Sequence, residues 1–224
     1  MIGSPDELPD IIWHDSVSST NDEALARVAR EDCNPVWIAA AEQTGGKGRL
    51  GRRWVSKPGN LYASLIWPSD VEPRRLASLS LVAGLAVRDA VVLAGVTAPV
   101  QLKWPNDVLV GGKKVSGVLI ETMEQAASRV VIIGCGINLL HHPADTRWPA
   151  TDISACGISI EPRLMLEKLR RAMHTRLRQW ADGAGLAGIH DDWMSAALSR
   201  GSRISVEGGK HGVFTGLSDD GALE

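Results

Sequence analysis

Only three of the 224 residues are cysteine, Cys33, Cys135 and Cys156, and no two of them form a C-x-x-C pair. That spacing argues against a zinc ribbon and a disulfide framework, and the odd count suits a reducing compartment. Histidine is also scarce. There are six, with no H-E-x-x-H, and the one adjacent pair, His141-His142, reads as exposed loop. No metal site built from His or Cys is therefore expected. Tyrosine and phenylalanine occur once each, against eight tryptophans. Positive charge is not in excess: 24 Lys and Arg against 26 Asp and Glu give a formal net charge of −2. This argues against a globally basic nucleic-acid binder and leaves room for a local basic patch. The longest uncharged apolar stretches, Leu76 to Val87 and Val130 to Leu140, fall short of the roughly 20 residues a membrane span needs. The opening residues Met1-Ile2-Gly3-Ser4-Pro5-Asp6 carry no basic or apolar region of a signal peptide. A cytoplasmic protein without membrane association is expected.

What is present suits one ordinary domain with a small appendage: 44% hydrophobic residues are enough for a sizeable core, and 22% charged residues argue against disorder. Thr20-Asn21-Asp22-Glu23 matches the T-x-x-E capping box and predicts a helix with Ala24, Leu25, Val28 and Ala29 on its apolar face. Strands are expected at Val36 to Ala41 and Asn60 to Trp67, the second closed by Pro68. Leu76, Leu79, Val82, Ala83, Val87 and Ala90 recur at helical spacing, predicting a buried helix over 73–94. Gly111-Gly112 reads as a hairpin turn, with Val115 to Glu121 returning. Val130 to Ile133 is a strand running into Gly134-Cys135-Gly136-Ile137-Asn138. A basic amphipathic helix starts at Glu161-Pro162 and reaches Trp180. Gly183 to Gly188 reads as a flexible joint, and Asp191 to Leu198 as a short helix. From about residue 200 the pattern changes to strand and turn, with turns at Gly208-Gly209 and Asp219-Asp220. That places a main domain at 1–199 and the start of a small β domain at 200–224.

Four constellations carry chemistry. Gly46-Lys47-Gly48-Arg49-Leu50-Gly51 spells G-x-G-x-x-G, but a strand and not a helix follows it, so a dinucleotide site lacks its context. A Walker A loop fails as well, because Gly48 stands where Ser or Thr is required. What remains is four glycines, Gly45, Gly46, Gly48 and Gly51, whose amides stay open to an anion, and four cations, Lys47, Arg49, Arg52 and Arg53. This is either a solvated mobile loop or one that closes over a phosphate. Lys103-Trp104-Pro105-Asn106-Asp107 places Asn106 and Asp107 at a strand end, as ordinary turn chemistry or as site residues. The hairpin then brings Lys113, Lys114 and Gly117, either a surface pair or a lysine reaching a flat ligand. Ser18-Ser19-Thr20-Asn21 caps a helix and offers hydroxyls and amides to a neutral polar head group. Asn138 suits a turn or an adenine edge.

In this order, S-S-T-N, E-Q-T-G-G-K-G-R-L-G-R-R-W, L-K-W-P-N-D-V-L-V-G-G-K-K-V-S-G-V-L-I-E and G-C-G-I-N-L resemble the biotin–protein ligase family over nearly the whole chain. The resemblance implies an α+β fold, a mixed β-sheet flanked by helices, with a small C-terminal SH3-like barrel that here looks truncated. It implies biotin binding by Ser19, Thr20, Asn21, Gln43, Gly46, Lys47, Gly48, Arg49, Lys114 and Gly117. It implies ATP and adenylate binding by Arg49, Arg52, Trp54, Lys103, Asn106 and Asn138, and catalysis by Arg49, Lys114 and Asp107. ATP with Mg²⁺ and biotin are the implied cofactor and substrate. The implied partner is the biotin carboxyl carrier domain of a biotin-dependent carboxylase, and the ligase a monomer or homodimer. Lys47 and Leu50 stand where the family commonly has Arg, and Lys lacks the bidentate fork. A lipoate or octanoate ligase or transferase of the same fold is the alternative, a transferase needing a catalytic cysteine. A DNA-binding repressor would need an N-terminal helix-turn-helix of roughly 50 residues. Only 18 residues precede Ser19, so DNA is not an expected partner. A module that only binds biotin would not need the Lys-Arg loop.

Overall fold

The computed structural model describes residues 8–69, 71–125, 128–144, 146, 148–198, 201–205, 211–218 and 221–224. Seven strands form one mixed sheet: β1 (Asp10–Val17), β2 (Val36–Gln43), β3 (Leu61–Ser69), β4 (Val100–Lys103), β5 (Asp107–Val110), β6 (Lys113–Gln125) and β7 (Ser128–Ile137), in the order β1-β2-β3-β7-β6-β5-β4. Only β1 and β2 run parallel. Their connection carries helix α1 (Thr20–Val28), as a parallel crossover requires.

Alternation along the strands sorts side chains to two faces. Trp37, Ala39, Leu61, Ala63, Leu65, Val131, Ile133, Cys135 and Ile137 join the larger core, beneath α3 (Leu79–Leu93), α4 (Pro162–Trp180) and α5 (Leu186–Ala196). Val36, Ile38, Ile66, Val130 and Ile132 pack under Ala24 and Val28 of α1. On that second face α1 covers only part of the sheet, and the remainder is an open cleft.

Several expectations shift in detail. The N-cap of α1 is Ser19, whose Oγ accepts from Asp22 N at 3.4 Å, so Thr20 is the first helical residue. The helix expected over 73–94 breaks into α2 (Pro73–Leu76) and α3, because Ser78 Oγ donates to Arg75 O at 2.6 Å and competes with the helical ladder. The same oxygen accepts from Trp180 Nε1 at 2.9 Å. Pro68 does not end β3. It lies past the last β2 pairing, Val36 with Ile66, so its missing N–H faces no partner strand. The last helix begins at Leu186 and not at Asp191, since buried Ile189, Trp193 and Ala196 form a helical stripe that overrides Gly188. Pro73–Leu93 has the length and apolarity to cross a membrane, yet 67% of its most apolar window is buried inside the fold, as suits a core helix.

The C-terminal residues form a two-stranded antiparallel pair, β8 (Arg203–Ser205) with β9 (His211–Val213), and a bridge between Leu217 and Leu223. A closed barrel is not seen among the described residues. Phe214 packs edge-on against Trp193 of α5, with ring centroids 6.3 Å apart. The expected turns at Gly208-Gly209 and Asp219-Asp220 lie outside the described residues.

Candidate active site

β1 and β2 end side by side, Val17 opposite Gln43. The pairing continues into the loops, Thr44 N donating to Val17 O at 3.0 Å and Gly45 N to Ser18 O at 2.8 Å. This holds Ser19, Thr20 and Asn21 beside Gln43. Because Ser19 is the cap, the next two side chains are free to turn to the cleft. Thr20 N and Oγ1 both donate to Gln43 Oε1, at 2.8 and 3.1 Å. Gln43 Nε2 donates to Ser56 Oγ at 2.9 Å. Ser64 Oγ, fully buried on β3, lies 2.8 Å from Thr20 Oγ1 and 2.6 Å from Asn21 Oδ1. Asn21 Nδ2 donates to Glu121 Oε2 at 2.6 Å. The result is a wall of neutral polar groups at one end of the cleft.

The glycine-arginine loop folds back as a hairpin of its own: Gln43 N donates to Ser56 O at 3.2 Å, Trp54 N to Gly46 O at 2.9 Å and Gly48 N to Arg52 O at 2.7 Å. It exposes Arg49 and Leu50 at its tip and lays Trp54 on the sheet. Two glycines make that possible. A Cβ on Gly136 of β7 would stand 2.6 Å from the Trp54 indole, and one on Gly117 of β6 would stand 3.2 Å from it. The indole N–H is buried there without a hydrogen-bond partner among the described residues.

The other end is ionic. Asp107 pairs with Gly117 across β5 and β6. Its carboxylate lies 2.5 Å from Lys114 Nζ and 3.7 Å from Lys103 Nζ. Lys114 Nζ also stacks 5.4 Å from the Trp54 ring centroid, and Lys103 Nζ 4.9 Å from that of Trp148. Asn106 Nδ2 donates to Val118 O at 2.7 Å, and Arg49 Nη1 reaches Asn106 Oδ1 at 3.4 Å. Lys113 is exposed. Trp104 Nε1 donates to Gly221 O at 3.1 Å, which ties the C-terminal segment to the cleft rim.

One cleft of about 1710 Å³ gathers Ser19, Thr20, Asn21, Gln43, Lys47, Gly48, Arg49, Arg52, Trp54, Lys103, Asn106, Asp107, Lys114, Gly117 and Asn138. Gly46 does not line it. It is buried beneath, where any Cβ would collide with Ser56 Oγ and Trp54 O. Lys47 bends to α1, with Nζ 2.6 Å from Asp22 Oδ1. The Asp22 hydrogen bond raises its pKa above the ordinary lysine value. Asn138 spends its amide donor on Thr151 O at 3.0 Å. Ser64, Ser56 and Glu121 were not anticipated. Ser64 had one signal, a hydroxyl inside the apolar run Leu61–Trp67.

Cys135, on the strand that floors the cleft, is 3% exposed and packs into the larger core, and burial pushes its thiol up to about 12. It is a packing residue and not a thiolate nucleophile. Among the described residues no three His, Cys, Asp or Glu side chains gather as a metal site. Asp107 is the one carboxylate among the described residues lining the cleft.

Residues 13–138 match a family model described as the biotin/lipoate A/B protein ligase family. A biotin–[acetyl-CoA-carboxylase] ligase of Paracoccus denitrificans is 36% identical, over 92% of this chain and 89% of that protein. A biotin protein ligase of Aquifex aeolicus, solved with biotin and ATP, is 30% identical with a TM-score of 0.79, over 96% of this chain and 90% of that one. One from Leishmania major, solved with biotinyl-5-AMP, is 27% identical with a TM-score of 0.75, over 96% and 94%.

Proposed function

The chain belongs to the biotin/lipoate A/B protein ligase family, and from that premise we propose that it is a biotin–protein ligase, which activates biotin with ATP and transfers it to a protein lysine. The observation that carries this reading is the polarity of the cleft. Ser19, Thr20, Asn21 and Gln43 present neutral donors and acceptors at one end, and Lys114, Lys103 and Arg49 present cations at the other. Biotin has that form, with a neutral ureido ring, an apolar chain and a terminal carboxylate. The dithiolane of lipoate and the methyl end of octanoate would leave the polar wall without partners, a cost that discriminates strongly.

In the first step a biotin carboxylate oxygen attacks the α-phosphorus of ATP. The bond to the bridging oxygen breaks, pyrophosphate leaves, and an acyl-phosphate anhydride forms. The two anions repel each other, so Lys114 and Arg49 act by neutralising and aligning them. Trp54, laid over Gly136 and Gly117 beside Lys114, would cover the adenylate. Among the described residues the cleft lining offers one carboxylate, Asp107, already paired with two lysines, so Mg²⁺ would come with the ATP phosphates and offset their charge. In the second step a lysine ε-amine of the acceptor attacks the acyl carbon, AMP leaves, and Asp107 orients the amine and takes its proton. The acceptor is a biotin carboxyl carrier domain, and the reaction belongs in the cytoplasm.

Pyrophosphate exchange into ATP tests the reading. Exchange is expected with biotin and not with lipoate or octanoate, and the opposite preference would overturn it. Cys135→Ala should keep kcat within about threefold, as expected for a core residue. Loss of acyl transfer in a folded Cys135→Ala protein would favour a thioester mechanism instead.

A further inference from the structure

We propose that Glu121 is a positioning residue that fixes the amide orientation of Asn21, and with it the hydrogen-bonding polarity of the neutral end of the cleft. The inference rests on the reading of that end as the site of biotin's ureido ring. Glu121 is on β6, opposite Ile132 of β7, on the sheet face that α1 covers and not among the residues lining the cleft.

The argument is one of donors and acceptors. A carboxylate can only accept, so Asn21 must turn Nδ2 towards Glu121 Oε2, at 2.6 Å. Its Oδ1 then faces Ser64 Oγ at 2.6 Å and accepts from that hydroxyl, which also donates to Thr20 Oγ1 at 2.8 Å. Asn21 is 4% exposed and Ser64 is fully buried, so water has little access to correct a wrong orientation. The other amide of the wall, Gln43, is oriented from the opposite side. Thr20 N can only donate, so Oε1 faces it and Nε2 faces Ser56. The wall is therefore locked at both ends, by a backbone donor at Gln43 and by a carboxylate acceptor at Asn21.

The position of Asn21 leaves little freedom. A Cβ on Gly134 would overlap Asn21 Oδ1, and Nδ2 would lie 3.1 Å from it. The amide is held close against the β7 backbone at Gly134, and a half-turn about its Cβ–Cγ bond, which exchanges Oδ1 and Nδ2, is the freedom left to it. Glu121 removes that freedom. Without it, Nδ2 in its present direction would be a buried donor with no acceptor, and the reversed amide, with Nδ2 donating to Ser64 Oγ, would be favoured, so the wall would present the opposite polarity to the ligand.

The test uses Glu121→Met, which keeps length and volume but accepts no hydrogen bond, and Glu121→Gln, which keeps an acceptor but loses the charge and the enforced direction. Both are assayed by biotin-dependent pyrophosphate exchange and by calorimetric titration with biotin. A ureido contact used equally in the ground and transition states moves KM and not kcat. Glu121→Met should raise the biotin KM about 10- to 100-fold, the range for a lost hydrogen bond to a charged group. Glu121→Gln should raise it roughly two- to fivefold. The KM for ATP should stay within twofold for both, and kcat within about threefold. A biotin KM within twofold of wild type in folded Glu121→Met overturns the proposal, as do equal losses in the two variants, or biotin and ATP KM values that rise together. If Glu121→Met does not fold, Glu121→Gln decides, and an unchanged biotin affinity there overturns it. Wild-type protein without biotin-dependent exchange would instead overturn the functional reading itself.

Discussion

Lys114 Nζ and Asp107 Oδ1 meet 2.5 Å apart across β6 and β5, with the side chains only 26% and 13% exposed. The pair holds an ammonium ready at the point where the cleft's floor changes from glycine to charge. On the proposed reading, an arriving carboxylate and α-phosphate would compete with Asp107 for that ammonium. The lysine is thus oriented by Asp107, and on that reading substrate binding would release Asp107 for the second step.

Replacing Lys114 by Ala should therefore slow adenylation by about 2–4 kcal/mol, or roughly 30- to 1,000-fold. Lys113→Ala, at an exposed position, should change it by less than about threefold. Single-turnover formation of biotinyl-adenylate measures both. Equal losses in the two variants would show that the facing of this strand has been misread.

Arg49 is exposed at the loop tip and tied only loosely to Asn106, at 3.4 Å. On the proposed reading, its hold on the adenylate would be charge-assisted bonding. Arg49→Gly should speed dissociation of biotinyl-adenylate about 10- to 100-fold, as read by trapping the released adenylate in a chase. An unchanged rate would reduce Arg49 to a surface charge.

A methyl group on Gly136 has no space beneath the Trp54 indole, which would lie 2.6 Å away. Gly136→Ala should displace the ring, shift its emission to the red and slow adenylation by about 1–3 kcal/mol, typical of overpacking. The emission is isolated by subtracting the same variant carrying Trp54→Phe. If the emission and the rate are both unaltered, Trp54 does not rest on this floor.

Acid stability carries a sign that can be checked. Burial pushes the Asp152 carboxyl up, but hydrogen bonds from Ser154, His142 and Ala155 N outweigh it and hold the pKa below the ordinary value. Gln179 and Arg176 do the same for Asp192. A folded-state pKa below the unfolded one contributes stability above the unfolded value, near pH 4, that is lost as pH falls through the folded value. Guanidinium midpoints should be level from pH 7 to 5 and fall towards pH 3. Asp152→Asn should flatten that fall, and an equally steep fall in the variant would place its origin elsewhere.

Much of this molecule is a matter of local pattern. The capped helix, the strands of alternating or unbroken apolar residues, the basic amphipathic helix and the glycine-rich loop all follow from short-range periodicity and turn chemistry, which neighbouring residues alone decide. The candidate site residues come instead from the resemblance of whole motifs to the biotin–protein ligase family, and the sheet brings all of them but Gly46 to one cleft. Other features needed the assembled sheet. Strict alternation would put Lys113, not Lys114, on the face of Gly117. A bulge where β5 meets β6, between Val108 and Leu109, puts Ser116 and Lys114 opposite neighbouring residues and skips Val115. Val115 goes to the core, and Lys114 Nζ comes to 3.3 Å from a Cβ position on Gly117. Glu121 meets Asn21 across 100 residues of chain. No periodicity reports such a contact, because register and bulges are set by the packing of whole strands, and the partners of a buried polar group are chosen only once that packing has excluded water.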